Sequence, residues 1–238
     1  MSSKMTICIL GNSVSLVLRP PRRKVHERTY AEILRDELPA TVINWSQRAA
    51  MVADGVRAVE DVVITHAPQA VIIQYGIVEC TYREMPRWLY QFVKLRLHGD
   101  ENRLERLPVQ LAARTLMPLC RRWAHLHGRW RWMEPAVFAH DIQQLITLIR
   151  KETAALPIVI TIPTPSERVE RLAPGTSASA NEYNHVLAQL AVQTGVPLLD
   201  AAALIAVNPH DLLPDGIHFS ATGHRLVAEH IRSLLSQQ

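Results

Sequence analysis

Residues 70–75 read Ala-Val-Ile-Ile-Gln-Tyr and form the most continuous apolar run of the chain. The run is short and contains three β-branched residues, which is typical of a strand that is buried on both faces of a parallel sheet. Similar short runs lie before and after it, and stretches with helical spacing separate them. Residues 70–75 are therefore predicted to form the central strand of a sheet.

Strands and helices alternate along most of the chain. Five apolar runs predict strands at Thr6–Leu10, Thr41–Trp45, Ala70–Tyr75, Ile158–Thr161 and Val196–Leu199. Apolar residues at helical spacing predict helices near residues 26–38, 54–66, 142–149 and 183–190, with Asp54 as an N-cap, and a last helix after Ser220. This order predicts an α/β, three-layer sandwich with a doubly wound, flavodoxin-like parallel sheet of about five strands. In such sheets, ligands bind beyond the carboxyl ends of the strands.

Length and composition predict one ordered domain. The chain has 238 residues, of which 48% are apolar and 20% charged, and this excludes a globally disordered protein. We expect a single domain over residues 1–238. No stretch reaches the ~20 apolar residues of a membrane span, and no secretory signal is evident, so we expect a cytoplasmic protein. Three cysteines without metal-type spacing predict neither a disulfide framework nor a zinc site. We expect no metal and no organic cofactor.

A long basic segment interrupts the alternation after the third strand. Residues 81–134 are too many for a simple connection and contain two helical stretches, Trp88–Leu97 and Leu107–Trp123. Residues 82–134 carry eleven Lys and Arg against five Asp and Glu, a net charge of +6, whereas the rest of the chain carries −2. Such asymmetry predicts a local partner surface. The segment is interpreted as a lid, a homodimer contact or, less favoured, a membrane-facing surface; a nucleic-acid surface is a weaker reading still, and no nucleic-acid partner is predicted.

Two short motifs fall where a parallel sheet would present them at one edge. Gly11-Asn12-Ser13 follows the first strand, and Asp215-Gly216-Ile217-His218 precedes the last helix. A serine hydroxyl becomes a nucleophile when a histidine removes its proton, and a carboxylate can orient that histidine. Taken singly, each motif also fits an ordinary turn, because Gly, Ser and Asp-Gly are common turn residues.

Together these motifs resemble the SGNH (GDSL-like) hydrolase family. The last block, Asp-Gly-Ile-His-Phe-Ser-Ala-Thr-Gly-His at 215–224, carries most of the resemblance, which covers residues 5–80 and 135–238 but not the insertion. The first block has Asn12 where the family has Asp. The resemblance implies Ser13 as nucleophile, His218 as general base and Asp215 as the group that orients it. It also implies an oxyanion hole formed at Ser13, Ala49 and Gly76.

The middle blocks depart from the family pattern. Ala49 stands where the second block usually has glycine, which preserves a backbone N–H. Val78 stands where the third block usually has asparagine, and valine donates no hydrogen bond. Loss of one such donor typically costs about 10²–10³ in rate. The groups considered as replacements are Asn12, Gln47, Arg48 and Thr81. Ser15 and Cys80 are less favoured nucleophiles, and His66, His185 and His224 less favoured bases.

The predicted function is hydrolysis or transfer of an acyl group from an ester or thioester. Arginines near Ser13 attract anions, so the substrate is expected to be anionic or phosphate-bearing, either a small molecule or an acyl group on a carrier. The residues predicted to bind it are Asn12, Arg19, Arg22, Arg23, Gln47, Arg48 and Glu79. The alternative is a catalytically weak binding module with the same fold, because Val78 lacks the usual donor.

Overall fold

Five parallel strands form one sheet in the order β2-β1-β3-β4-β5 in a computed structural model, which describes residues 5–16, 28–91 and 116–237. The strands are β1 (Met5–Gly11), β2 (Ala40–Asn44), β3 (Ala70–Gln74), β4 (Leu156–Ile160) and β5 (Leu198–Leu199). β3 lies in the middle, and all five of its residues are buried. The prediction of a central strand at 70–75 is therefore confirmed.

Helices cover both faces of this sheet. From β1 the chain moves outward to β2 and then crosses back to β3 on the other side of β1, so right-handed crossovers place the two sets of helices on opposite faces. One set packs through α1 (Tyr30–Glu37) and α9 (Ala221–Ser236); the other packs through α2 (Val52–Ala58), α4 (Pro135–Glu152) and α6 (Thr176–Thr194). The predicted three-layer α/β sandwich is confirmed.

Shorter helices complete the described part of the chain. A 3₁₀ turn spans Ser13–Ser15, and α2 continues as the π-helical segment Val59–Ile64. The other short helices are α3 (Ile77–Cys80), α5 (Glu167–Leu172), α7 (Ala201–Ala206) and α8 (Pro209–Leu212). No helix within the described residues is long and apolar enough to cross a bilayer.

Several predicted boundaries differ from the structure. Helix α2 begins at Val52, and Asp54 is not its N-cap; instead the Asp54 carboxylate accepts the Met51 N–H (2.8 Å) from inside the first turn. Pro157 lies inside β4 rather than before it. Because β5 pairs only with Val159 and Ile160, it needs no N–H from Pro157. The fifth strand is shorter than predicted, because only Leu198 and Leu199 pair with β4.

The two ends of the insertion are held together and against α6. Arg83 and Trp130 exchange backbone hydrogen bonds of 2.8 and 2.9 Å. The indole N–H of Trp132 donates to the Met85 carbonyl (3.1 Å). The Tyr82 N–H donates to the hydroxyl of Thr176, the first residue of α6 (3.4 Å). Residues 87–91 and 116–127 are helical, and the rest of both predicted helices, between 92 and 115, lies outside the described residues.

Candidate active site

Ser13 begins the 3₁₀ turn that follows β1. The Asn12 side chain caps this turn by accepting the Val14 N–H (3.1 Å), and Asn12 itself is buried. Gly11 allows the tight approach of the chain here, because a Cβ at that position would lie 2.7 Å from Ser15 Oγ. The turn therefore leaves the partly buried Ser13 side chain at the carboxyl edge of the sheet.

A hydrogen-bonded chain joins Ser13 to the loop before α9. Ser13 Oγ lies 2.9 Å from His218 Nε2, and His218 Nδ1 lies 2.8 Å from Asp215 Oδ2. Ser13 and His218 are 205 residues apart in sequence. The structure thus brings together the three residues predicted to act as nucleophile, base and orienting carboxylate.

The local turn explains how Asp215 and His218 are held. Asp215 Oδ1 accepts the backbone N–H groups of Ile217 (3.0 Å) and His218 (2.8 Å), which leaves Oδ2 for the imidazole. Gly216 adopts φ +91°, and a Cβ there would lie only 2.0 Å from Ser166 Oγ. Glycine is therefore required at this position both by conformation and by space.

The charged form of Asp215 is stabilised by its neighbours. Burial raises the pKa of this carboxyl, but hydrogen bonds from the His218 ring and from the His218 and Ile217 backbone outweigh it and lower the pKa to about 2. An ionised Asp215 favours the tautomer with a proton on Nδ1, so that Nε2 can accept a proton from Ser13. The arrangement has the geometry of nucleophilic catalysis by serine.

Two backbone N–H groups near Ser13 have no acceptor among the residues that the structure describes. In the 3₁₀ turn, the N–H groups of Asn12, Val14 and Ser15 are all bonded, whereas that of Ser13 is not. In the loop after β2, the Ala49 N–H is likewise unbonded, although the N–H groups of its neighbours Gln47 and Ala50 donate to Gly11 and Gln47. Unpaired donors of this kind can stabilise a negatively charged oxygen.

Ala49 has an unusual backbone conformation for a residue with a side chain. Its φ is +57°, in the left-handed region that favours glycine. The hydrogen bond from the Gln47 N–H to the Gly11 carbonyl (3.1 Å) fastens this loop to the end of β1, beside Ser13. Alanine therefore keeps the conformation that glycine would adopt most easily at this position.

Gly76 and Glu79 bind each other rather than facing the proposed oxyanion. The Gly76 N–H donates to Glu79 Oε2 (3.0 Å), so this donor is occupied. Glu79 is fully buried, and its Oε1 accepts the N–H of Val52 at the start of α2 (2.7 Å). Burial raises the pKa of Glu79 to about 7, although its backbone hydrogen bonds oppose this shift. Glu79 thus connects β3 to α2 and has no exposed surface for a substrate.

Within the described residues, the structure identifies no side chain that replaces the asparagine donor for which Val78 stands. Val78 is buried in α3, and the Thr81 hydroxyl donates to the Ile77 carbonyl within the same turn. Gln47 and Arg48 are exposed beside the Ala49 loop. The predicted substrate contacts Arg19, Arg22 and Arg23 lie outside the described residues.

The other nucleophile candidates are buried. Ser15 is fully buried and hydrogen-bonds to Gln74 and to Tyr30 (2.9 Å to the latter). Cys80 is also fully buried, and burial raises the pKa of its thiol to about 12, so the reactive thiolate is disfavoured. Both side chains are therefore less accessible than that of Ser13, which is only partly buried.

The buried His224 joins the last helix, α9, to the start of α1. His224 Nδ1 accepts the N–H of Tyr30, the first residue of α1 (3.3 Å), and the imidazole packs against Phe219. Burial, and then the neighbouring His218, lower the pKa of His224 to about 3, so it stays neutral. This contact, like the bond between Val52 and Glu79, joins residues far apart in sequence, so no local pattern predicts it. His66 and His185 are exposed.

Comparison with known proteins gives one family and many solved structures of the same fold. A sequence model described as the GDSL-like lipase/acylhydrolase family matches residues 9–226. A lipase/acylhydrolase from Enterococcus faecalis superposes with a TM-score of 0.64 at 17% identity, covering 98% of this chain and 96% of that one. No curated protein matches the chain.

Two further structures share the fold at similarly low identity. The psychrotrophic esterase EstA from Pseudoalteromonas sp. gives a TM-score of 0.58 at 13% identity, covering 98% and 97% of the two chains. The acetylxylan esterase Axe2 from Geobacillus stearothermophilus gives 0.58 at 18% identity, covering 94% and 91%. At such identities these structures establish the fold of the chain, not its substrate.

Proposed function

Since this chain belongs to the GDSL-like lipase/acylhydrolase family, we propose that it is an ester-bond hydrolase in which Ser13, His218 and Asp215 form the catalytic triad. The observation that carries the proposal is the hydrogen-bonded chain from Ser13 Oγ through the His218 ring to Asp215, with distances of 2.9 and 2.8 Å. The imidazole lies between the hydroxyl and the carboxylate, which is the order that transfer of the serine proton requires.

In the proposed reaction, Ser13 Oγ attacks the acyl carbonyl while its proton moves to His218 Nε2. The N–H groups of Ser13 and Ala49 bind the oxyanion of the tetrahedral intermediate. His218 then gives the proton to the departing alcohol or thiol as its bond to the acyl carbon breaks. Water, activated by His218, hydrolyses the acyl-enzyme and restores the Ser13 hydroxyl. If the hydroxyl of another molecule takes the place of water, the same steps transfer the acyl group.

Substitution of Ser13 tests the nucleophile. We expect Ser13→Ala to reduce hydrolysis of p-nitrophenyl acetate to background, and a fluorophosphonate probe to label the unsubstituted protein at Ser13. Ser15→Ala is the matched control, because it removes a hydroxyl two residues away that the structure buries. Full activity in Ser13→Ala, or a label on another residue, would contradict the proposal.

We also propose an anionic substrate, small or bound to a carrier. The support is the exposed Arg48 beside the Ala49 loop and the excess of positive charge in the insertion. We expect kcat/KM to be higher for an ester with a carboxylate or phosphate group than for its neutral analogue, and to fall with added salt for the anionic ester only. Equal kcat/KM values at low salt would contradict an anionic preference.

Val78 supports a second candidate function, a binding module with little catalysis. Because Val78 supplies no side-chain donor, the proposed oxyanion hole has two donors within the described part of the chain, the N–H groups of Ser13 and Ala49. Absence of fluorophosphonate labelling, together with retained binding of an anionic ester, would favour this alternative. The predicted cytoplasmic location and homodimer stay predictions, which cell fractionation and sedimentation velocity would test.

A further inference from the structure

A cavity of about 770 Å³ lies beside the Asp215 loop. Three segments form its walls: the turn after β4 together with α5, the region from the end of α7 to α8, and residues 213–216 before His218. Asp215 and Gly216 line this cavity, but Ser13 and His218 do not. Its volume is within the range of small-molecule pockets.

Part of the wall of this α5–α8 cavity is apolar. Ile205 and Leu213 line it and belong to the hydrophobic core, with 1% and 2% of their surfaces exposed. Pro165 is also buried, and Pro209 and Pro214 add further apolar wall. Contact between an alkyl chain and such a surface removes apolar area from water, which favours binding of the chain there.

Two arginines that line the cavity, Arg168 and Arg171, have few carboxylates near their guanidinium groups. Arg168 has no carboxylate within ion-pair distance among the described residues, and Arg171 has only Glu167, at 3.7 Å. The Glu167 side chain is 96% exposed. The other carboxylate that lines the cavity, Asp215, is held by His218. Guanidinium groups in this setting favour a carboxylate or phosphate.

We propose that the α5–α8 cavity binds an amphipathic anion, a short alkyl or acyl chain that ends in a carboxylate or phosphate group. The chain lies against the exposed apolar surface of Ala206, Pro209 and Pro214, in front of the buried Ile205 and Leu213, and the anionic group pairs with Arg168 and Arg171. Because Asp215 and Gly216 form one wall, a bound ligand also contacts the loop that holds His218. This site is separate from Ser13, and its occupation does not require turnover.

Calorimetric titration with decanoate, decyl phosphate and decanol tests the proposal. We expect both anions to bind, decanol to bind at least tenfold more weakly, and the double variant Arg168→Ala/Arg171→Ala to bind the anions about tenfold more weakly. Ala206→Trp, which places a large side chain at the cavity wall, should abolish binding. Arg57→Ala is the matched control, because it removes an exposed, ion-paired arginine on α2 and should leave binding unchanged.

One further measurement separates this site from the proposed catalytic one. Protein whose Ser13 carries a fluorophosphonate adduct should bind the anions as the unmodified protein does; loss of binding would place the ligand at Ser13 and overturn the proposal. If Ser13 proves unreactive, the arginine and tryptophan variants of the unmodified protein still decide the question. Unchanged affinity in both variants, with unfolding midpoints like that of the unsubstituted protein, would also overturn it.

Discussion

Replacement of the buried Glu79 by glutamine should change how stability depends on pH. Glu79 has no exposed surface and holds two backbone N–H groups, those of Val52 and Gly76. Burial raises its pKa from 4.5 to about 7. Glutamine has nearly the shape of the protonated acid but cannot ionise, so Glu79→Gln removes the titration while keeping one acceptor oxygen.

The magnitude follows from the difference between the folded and unfolded pKa. Between about pH 4.5 and pH 7 the folded protein binds more protons at this position than the unfolded chain, so stability falls as pH rises through this window. A shift of about 2.5 pKa units corresponds to about 3 kcal/mol. The free energy of unfolding of Glu79→Gln, minus that of the unsubstituted protein, should therefore rise by about 3 kcal/mol from pH 4 to pH 8.

Urea unfolding at unit steps between pH 4 and pH 9 measures this difference. Other titrating groups are common to both proteins and largely cancel. Glu60→Gln, which alters an exposed carboxylate on the segment after α2, is the control and should give a difference that changes much less with pH. A Glu79→Gln difference that is flat, or that falls toward pH 8, would refute the reasoning.

Four other substitutions test the site. Ala49→Gly should raise the free energy of unfolding by about 1 kcal/mol in urea titrations and keep activity, because glycine relieves the positive φ. Val78→Asn should raise kcat for p-nitrophenyl acetate by about tenfold or more, because it adds a donor to the proposed hole; an unchanged kcat in folded protein would argue against a missing donor. Gly216→Ala should lower the unfolding free energy by about 3 kcal/mol, since its Cβ would meet Ser166 Oγ; an unchanged urea midpoint would contradict this. Asp215→Asn should lower kcat by about 10³–10⁴ with little change in KM, as steady-state kinetics would show.

Local patterns predicted most of the fold because each depends on residues near one another in sequence. The apolar runs located all five strands. The reason is clearest for β1, β3 and β4, because strands buried on both faces are apolar along most of their length. The last helix begins after Ser220, as predicted, and the Ser220 hydroxyl accepts the Gly223 N–H. The prediction of Asp54 as an N-cap is wrong because a carboxylate can accept a backbone N–H at a helix start either from the N-cap or from the third residue of the helix.

By itself, the sequence determined the order of strands and helices, the Asp215–His218 turn and the family resemblance. Only the tertiary structure decided that Glu79 accepts the N–H of Val52, that the Ser13 and Ala49 N–H groups find no acceptor among the described residues, and that Ser15 is buried. The physical reason is that a hydrogen bond forms over about 3 Å, whatever the separation in sequence. Parallel strands bring loops from distant parts of the chain to one edge, and their pairing appears in no local pattern.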